Sequence, residues 1–144
     1  MPIGVRSRQL EALFMRSTSS AAEKLDPVQL RRDARPVDLV HLARQCLGDE
    51  HLEYEILRLF DTTIAAYHQR VGQAASLYDL TLALHSMRSA ATGVGAWTIV
   101  EHVTAAEADM RDGRAMQPEQ LADIAMAVEE VRAFIAEMLS NEPA

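Results

Sequence analysis

Apolar residues recur at intervals of three and four along most of this chain, the spacing that puts them on one face of an α-helix. Leu52, Ile56, Leu57, Leu59, Phe60, Ile64 and Tyr67 mark one long helix. Leu77, Leu80, Leu84, Met87, Ala91 and Val94 mark a second, and Ile99, Val100, Val103, Ala106 and Met110 a third. A fourth carries Leu121, Ile124, Ala125, Val128, Val131, Ile135, Met138 and Leu139. A shorter stretch, with Leu39, Val40, Leu42, Ala43 and Leu47 as its apolar side, precedes them all. No alternating run of β-branched residues predicts a strand.

The breaks between these patterns carry recognisable end signals. Gly48-Asp49 closes the short helix, and Asp49-Glu50 opens the first long one with acidic residues at its electropositive end. Val71-Gly72 ends that helix, and Ser76 begins the next as an N-cap, with Asp79 three residues on. Gly93 and Gly95 mark the end of the second long helix. Ala96 opens the third, Asp112-Gly113 breaks it, and Pro118 sits in the first turn of the fourth. The loops are short, so neighbouring helices should run antiparallel. The expected fold is all-α: an up-and-down antiparallel four-helix bundle over about residues 50–140, capped by the short helix near 37–47.

Residues 1–35 read differently, as a basic N-terminal arm, and residues 36–144 as the bundle. Leu10, Leu13 and Phe14 have helical spacing in the arm, followed by the polar breaker Ser17-Thr18-Ser19-Ser20. The arm holds seven basic and four acidic side chains, and the remainder seven basic and 17 acidic. The total charge of −7 argues against a nucleic-acid binder that works by neutralising phosphates. The composition, 49% hydrophobic but only 5% aromatic, is that of a core built from Leu, Ala, Val, Ile and Met. Cys46 is the single cysteine, so no internal disulfide forms and a reducing compartment is expected. No apolar run reaches the roughly 18–20 residues of a membrane span, and no signal-peptide core opens the chain. A cytoplasmic protein without membrane or nucleic-acid partners is the expectation.

The chemistry concentrates in Leu84-His85-Ser86-Met87-Arg88-Ser89-Ala90-Ala91-Thr92-Gly93-Val94-Gly95-Ala96. Leu84 lies on the apolar stripe, and His85 sits about 100° further round the helix, on the outside. Its helical neighbours are Thr81 and Leu82 one turn before, Arg88 and Ser89 one turn after, and Tyr78 and Thr92 two turns away. That face is small or polar, so solvent should reach the imidazole. A neutral imidazole nitrogen is a nucleophile, and an arginine one turn on supplies positive charge and donors for a phosphoryl group. Leu82 offers an apolar contact, and Ser89 leaves room for a partner. No nucleotide-binding loop of the Gly-x-x-x-x-Gly-Lys-[Ser/Thr] type is present, and the only acidic-x-x-His spacing is Asp38…His41. Autonomous kinase activity, ATP binding and an own metal site are not expected. Cys46 reads as a structural thiol, Trp97 as packing at the bundle end, and Glu101-His102 as a solvated face.

This stretch resembles the signature of the histidine-phosphotransfer (HPt) domain family. That signature runs His, any residue, Leu, Lys, Gly, Ser or Ala, a small residue, two variable positions, an aliphatic, then Gly-Ala. His85 matches the phosphorylated histidine, Met87 the Leu, Arg88 the Lys, Ala90 and Ala91 the small positions, Val94 the aliphatic, and Gly95-Ala96 the closing pair. Ile99 and Glu107 fall where the family tends to have an aliphatic and a Glu. Val37-Asp38-Leu39 and Leu47-Gly48-Asp49 resemble its short first helix. Arg88 and Ser89 depart from it, standing where the family has Lys and Gly. The resemblance spans about residues 36–140 and implies a phosphorelay intermediate, with His85, Arg88 and Ser89 at the reacting centre. It further implies docking through Tyr78, Thr81, Leu82 and Thr92, and a structural turn at Gly95. The implied partners are response-regulator receiver domains and a hybrid histidine kinase. The receiver supplies Mg²⁺, the chain has no cofactor of its own, and a monomer is expected. The rival reading is a non-phosphorylated helical adaptor that binds through the His85 face.

Overall fold

The computed structural model describes residues 35–144, so the proposed arm lies almost wholly outside the described residues. Within them the chain is all-helical, with five helices and no strand. They are α1 (Leu39–Gln45), α2 (Glu50–Gln73), α3 (Leu77–Val94), α4 (Trp97–Arg111) and α5 (Pro118–Ser140). Each start has a local cause. Asp38, Asp49 and Ser76 are N-caps whose side chains accept from the backbone N–H groups of His41, Leu52 and Asp79. At α5 the first turn is held differently: Gln120 Oε1 accepts from the backbone N–H of Gln117 at 2.9 Å, ahead of Pro118.

Each long helix packs on the next, α5 returns to α2, and α1 lies across α2 and α3. Phe60, Ile64, Leu84, Met87, Ile99, Ile124 and Ile135 meet in the centre with no exposed surface. Ala83, Ala90, Ala91, Ala96, Ala106 and Ala127 are buried between them, and such small side chains let the helices approach closely. Surface ion pairs tie α2 to the chain's end: Arg132 Nε donates to Asp61 Oδ1 at 2.9 Å, and Arg58 pairs with Glu142.

Four expected core positions, Leu77, Val40, Leu47 and Leu121, are outside. Leu77 is 70% exposed, because it begins α3 beyond the edge of the packed region. Val40 is exposed because α1 covers the other helices with one face only, that of Leu42, and Leu47 is exposed because it lies past the end of α1 in the turn, with φ +54°. Gly93 is also a correction. It lies buried inside α3, and Gly95 alone ends the helix, with φ +81°. Among the described residues no helix is long and apolar enough to cross a membrane.

Candidate functional site

α3 presents two unlike faces. Ala83, Leu84, Met87, Ala90, Ala91 and Val94 are buried, and His85 stands exposed between them on the outer side. Leu84 has no accessible surface, so the backbone immediately before His85 is fixed by core packing. Leu82 at 52% and Tyr78 at 74% exposure lie one and two turns before His85 as an accessible apolar strip. Thr81 is exposed as well, but its hydroxyl donates to the carbonyl of Leu77 at 2.8 Å. Ser89, half-buried, follows one turn after.

Arg88 connects His85 to the neighbouring helix. Its Nη2 lies 3.0 Å from His85 Nδ1, and its Nε donates to Glu107 Oε1 of α4 at 2.6 Å. Glu107 is mostly buried, with a side chain 16% exposed, while that of Arg88 is 34% exposed. The guanidinium is therefore held from α4 and pointed at the imidazole. The sequence places Arg88 beside His85, but helix spacing does not bring Glu107 to either. The family resemblance is the one signal that singled Glu107 out. Arg88 and Glu107 also line a groove between α3 and α4, together with Thr81, Thr104, Met110 and Arg111.

Thr92 does not belong to this face. It is only 8% exposed, its hydroxyl donates to the Arg88 carbonyl at 2.8 Å, and its own carbonyl lies 3.1 Å from His41 Nε2. The cause is α1, which crosses the end of α3 and covers a position that helix spacing alone leaves outside. A docking role for Thr92 is thereby corrected to a structural one.

Gly95 makes the expected turn, and the reason is a close crossing. A Cβ at this position would lie 2.9 Å from Asp38 Cβ and 3.2 Å from the Asp38 carbonyl oxygen. The Asp38 backbone N–H donates to the Gly95 carbonyl at 2.9 Å. Asp38 also accepts from Trp97 Nε1 at 2.9 Å through Oδ2 and from the His41 N–H at 3.0 Å through Oδ1. The His41 ring meets Trp97 edge-on, with centroids 4.9 Å apart. The Asp38…His41 spacing thus serves a clamp that fastens α1 to the α3–α4 junction. Among the described residues no group of three or more His, Cys, Asp and Glu side chains is arranged to hold a metal.

Burial holds His41 below the ordinary histidine range, against the opposing pull of Asp38 and of the Thr92 and Gly93 backbone. Its Nε2 must carry hydrogen to donate to the Thr92 carbonyl, which only accepts. A base whose folded pKa is depressed binds more protons when unfolded, so its contribution to stability is full above the unfolded value near 6.5. That contribution is lost as pH falls from there through the folded pKa. Denaturant melts should therefore show the native chain losing more stability between pH 7.5 and pH 5 than His41→Gln, which cannot charge. Equal losses in the two would remove His41 as the cause.

No family model, no curated protein and no solved structure matches this chain. The functional reading accordingly stands on the geometry around His85.

Proposed function

We propose that this chain is a cytoplasmic, monomeric phosphorelay carrier in which His85 accepts a phosphoryl group from a receiver-domain aspartate and passes it to another receiver. The observation that carries the reading is an exposed imidazole on a helix whose opposite side is fully packed, with a guanidinium 3.0 Å from the ring. A carrier needs its nucleophile on a convex surface, because the second reacting group arrives on another protein. Tyr78 and Leu82 give that protein an apolar footing, and Ser89 keeps the approach to the ring low. The transfer forms an N–P bond to the imidazole and breaks the P–O bond to the aspartate, which leaves as carboxylate. Arg88 is placed to neutralise the phosphoryl oxygens. Mg²⁺ belongs to the receiver in this scheme, and a hybrid histidine kinase stands upstream.

The scaffold in this reading is an up-and-down antiparallel four-helix bundle capped by α1. Support comes from the closed order of packing from α2 round to α5. Cross-links point the same way: Arg88 to Glu107 between α3 and α4, and Gln120 Nε2 to Asp109 Oδ2 at 2.8 Å between α5 and α4. Such a scaffold holds His85 still while partners exchange.

Incubation with a phosphorylated receiver tests acceptance. The full chain should gain acid-labile, alkali-stable phosphate, and His85→Gln should lose at least nine-tenths of it. Label that persists in His85→Gln would sink the assignment. The exposed Tyr78–Leu82 strip also suits a non-phosphorylated adaptor, which would bind a receiver equally well before and after the substitution and never take up label.

A further inference from the structure

We propose that Glu107 is a positioning residue that acts through Arg88 to latch His85, capping the Nδ1 lone pair and leaving the ring proton on Nε2 until an incoming phosphoryl anion draws Arg88 away. The consequence for transfer rests on the carrier reading of His85, whereas the latched ring does not.

The latch follows from donor chemistry. A guanidinium has only N–H donors and stays protonated in proteins, so at 3.0 Å from Arg88 Nη2 the His85 Nδ1 must accept. A neutral imidazole carries one ring proton, and that proton then sits on Nε2. Glu107 makes the arrangement persistent. It binds Nε of the same planar group at 2.6 Å, from a different helix, with its carboxylate mostly out of solvent. Two donors on one rigid plane are thus assigned to two acceptors, and the Arg88 side chain loses the freedom of an ordinary surface arginine.

This arrangement opposes transfer as it stands. Nδ1 adjoins the ring carbon that bears the chain and is covered by Arg88, so Nε2 is the nitrogen a large partner can reach. With a proton on Nε2, no lone pair is available there. A phosphoryl anion resolves the conflict, because its oxygens match the guanidinium fork better than one ring nitrogen does. Once Arg88 turns to the phosphoryl group, water moves the ring proton from Nε2 to Nδ1. The Nε2 lone pair then forms the N–P bond, and the P–O bond to the aspartate breaks with its electron pair leaving on the carboxylate. The ring ends with the phosphoryl group on Nε2 and the proton on Nδ1. Arg88 is released by the same charge it will neutralise, so an uncharged surface that docks on Tyr78 and Leu82 leaves the latch shut.

Long-range imidazole ¹⁵N spectra of the full chain at pH 8 test the latch with no receiver present. In the native chain His85 Nδ1 should resonate in the unprotonated range and Nε2 in the protonated range. In Glu107→Ala and in Arg88→Met the two signals should move toward each other as the tautomers mix. Arg88→Met keeps the apolar stem over α3 and carries the spectral test if Glu107→Ala fails to fold. Phosphoramidate supplies the kinetic readout: the ring nitrogen attacks phosphorus, the P–N bond breaks, and ammonia leaves. Labelling of His85 should be about fivefold faster in Glu107→Ala, on the order of one charge-assisted hydrogen bond released at a half-exposed site. A native Nδ1 in the protonated range, ring signals unmoved in both variants, or labelling no faster in a folded Glu107→Ala would overturn the proposal. A latched ring in a chain that takes nothing from any receiver would defeat the carrier reading and leave the role of Glu107 standing.

Discussion

Gly95→Ala should destabilise the chain by about 2–5 kcal/mol, a large share of the 5–15 kcal/mol typical of a domain. Two costs coincide at this position. The backbone sits at φ +81°, where an L side chain is disfavoured by roughly 1–2 kcal/mol. The added methyl carbon also arrives 2.9 Å from Asp38 Cβ, a rigid atom next to the backbone rather than the loose end of a side chain. Relief requires Asp38 to withdraw. That loosens its N–H bond to the Gly95 carbonyl and its carboxylate bond to Trp97 Nε1. Urea unfolding read at Trp97 fluorescence checks both parts, since the midpoint should fall and the native signal should change. Gly113→Ala is the control. It has a similar φ of +83° but nothing within 4 Å of its would-be Cβ, so it should show the backbone cost alone. Equal losses at Gly95 and Gly113 would refute the close crossing of α1 over the turn.

Leu84→Ala should cost about 3–4 kcal/mol, while Leu82→Ala, two residues away, should cost under about 1 kcal/mol. Leu84 has no exposed surface, whereas Leu82 is 52% exposed. Truncating Leu84 removes packing and leaves a cavity in the buried core, one residue before His85. The Leu82 truncation removes only surface that a partner would cover. The pair therefore separates the two faces of α3 by stability and by binding: Leu84→Ala should unfold more easily, and Leu82→Ala should weaken receiver docking at unchanged stability. Thermal melts and receiver titrations of the two variants read both effects. Comparable melting losses would show that His85 is not presented from the face assigned to it.

Much of this was legible in the sequence because it depends on one helix at a time. The cap at Ser76, the helix start at Asp49, the turn at Gly95 and the outward placement of His85 follow from spacing within a few residues. What spacing cannot register is a second element laid across the first. Thr92 reads as surface until α1 covers it, and Asp38, Trp97 and Gly95 meet only through that crossing. Val40 and Leu47 fit an apolar stripe, yet α1 buries only the side of Leu42, and Leu47 falls in the turn past its end. Arg88 is the most instructive case. Its proximity to His85 follows from an i, i+3 relation, but its attachment to Glu107 depends on the pairing of α3 with α4. A residue read as a waiting phosphate ligand is thereby found already engaged.

The carrier claim is tested most directly by a two-receiver chase. The full chain would be labelled from one phosphorylated receiver, purified, and mixed with a second, unphosphorylated receiver and Mg²⁺. The account predicts phosphate localised to His85 by tandem mass spectrometry at neutral pH, then its disappearance from His85 and recovery on the second receiver's aspartate. Phosphate on another residue, or a chain that binds both receivers and carries no phosphate between any tested pair, would contradict it.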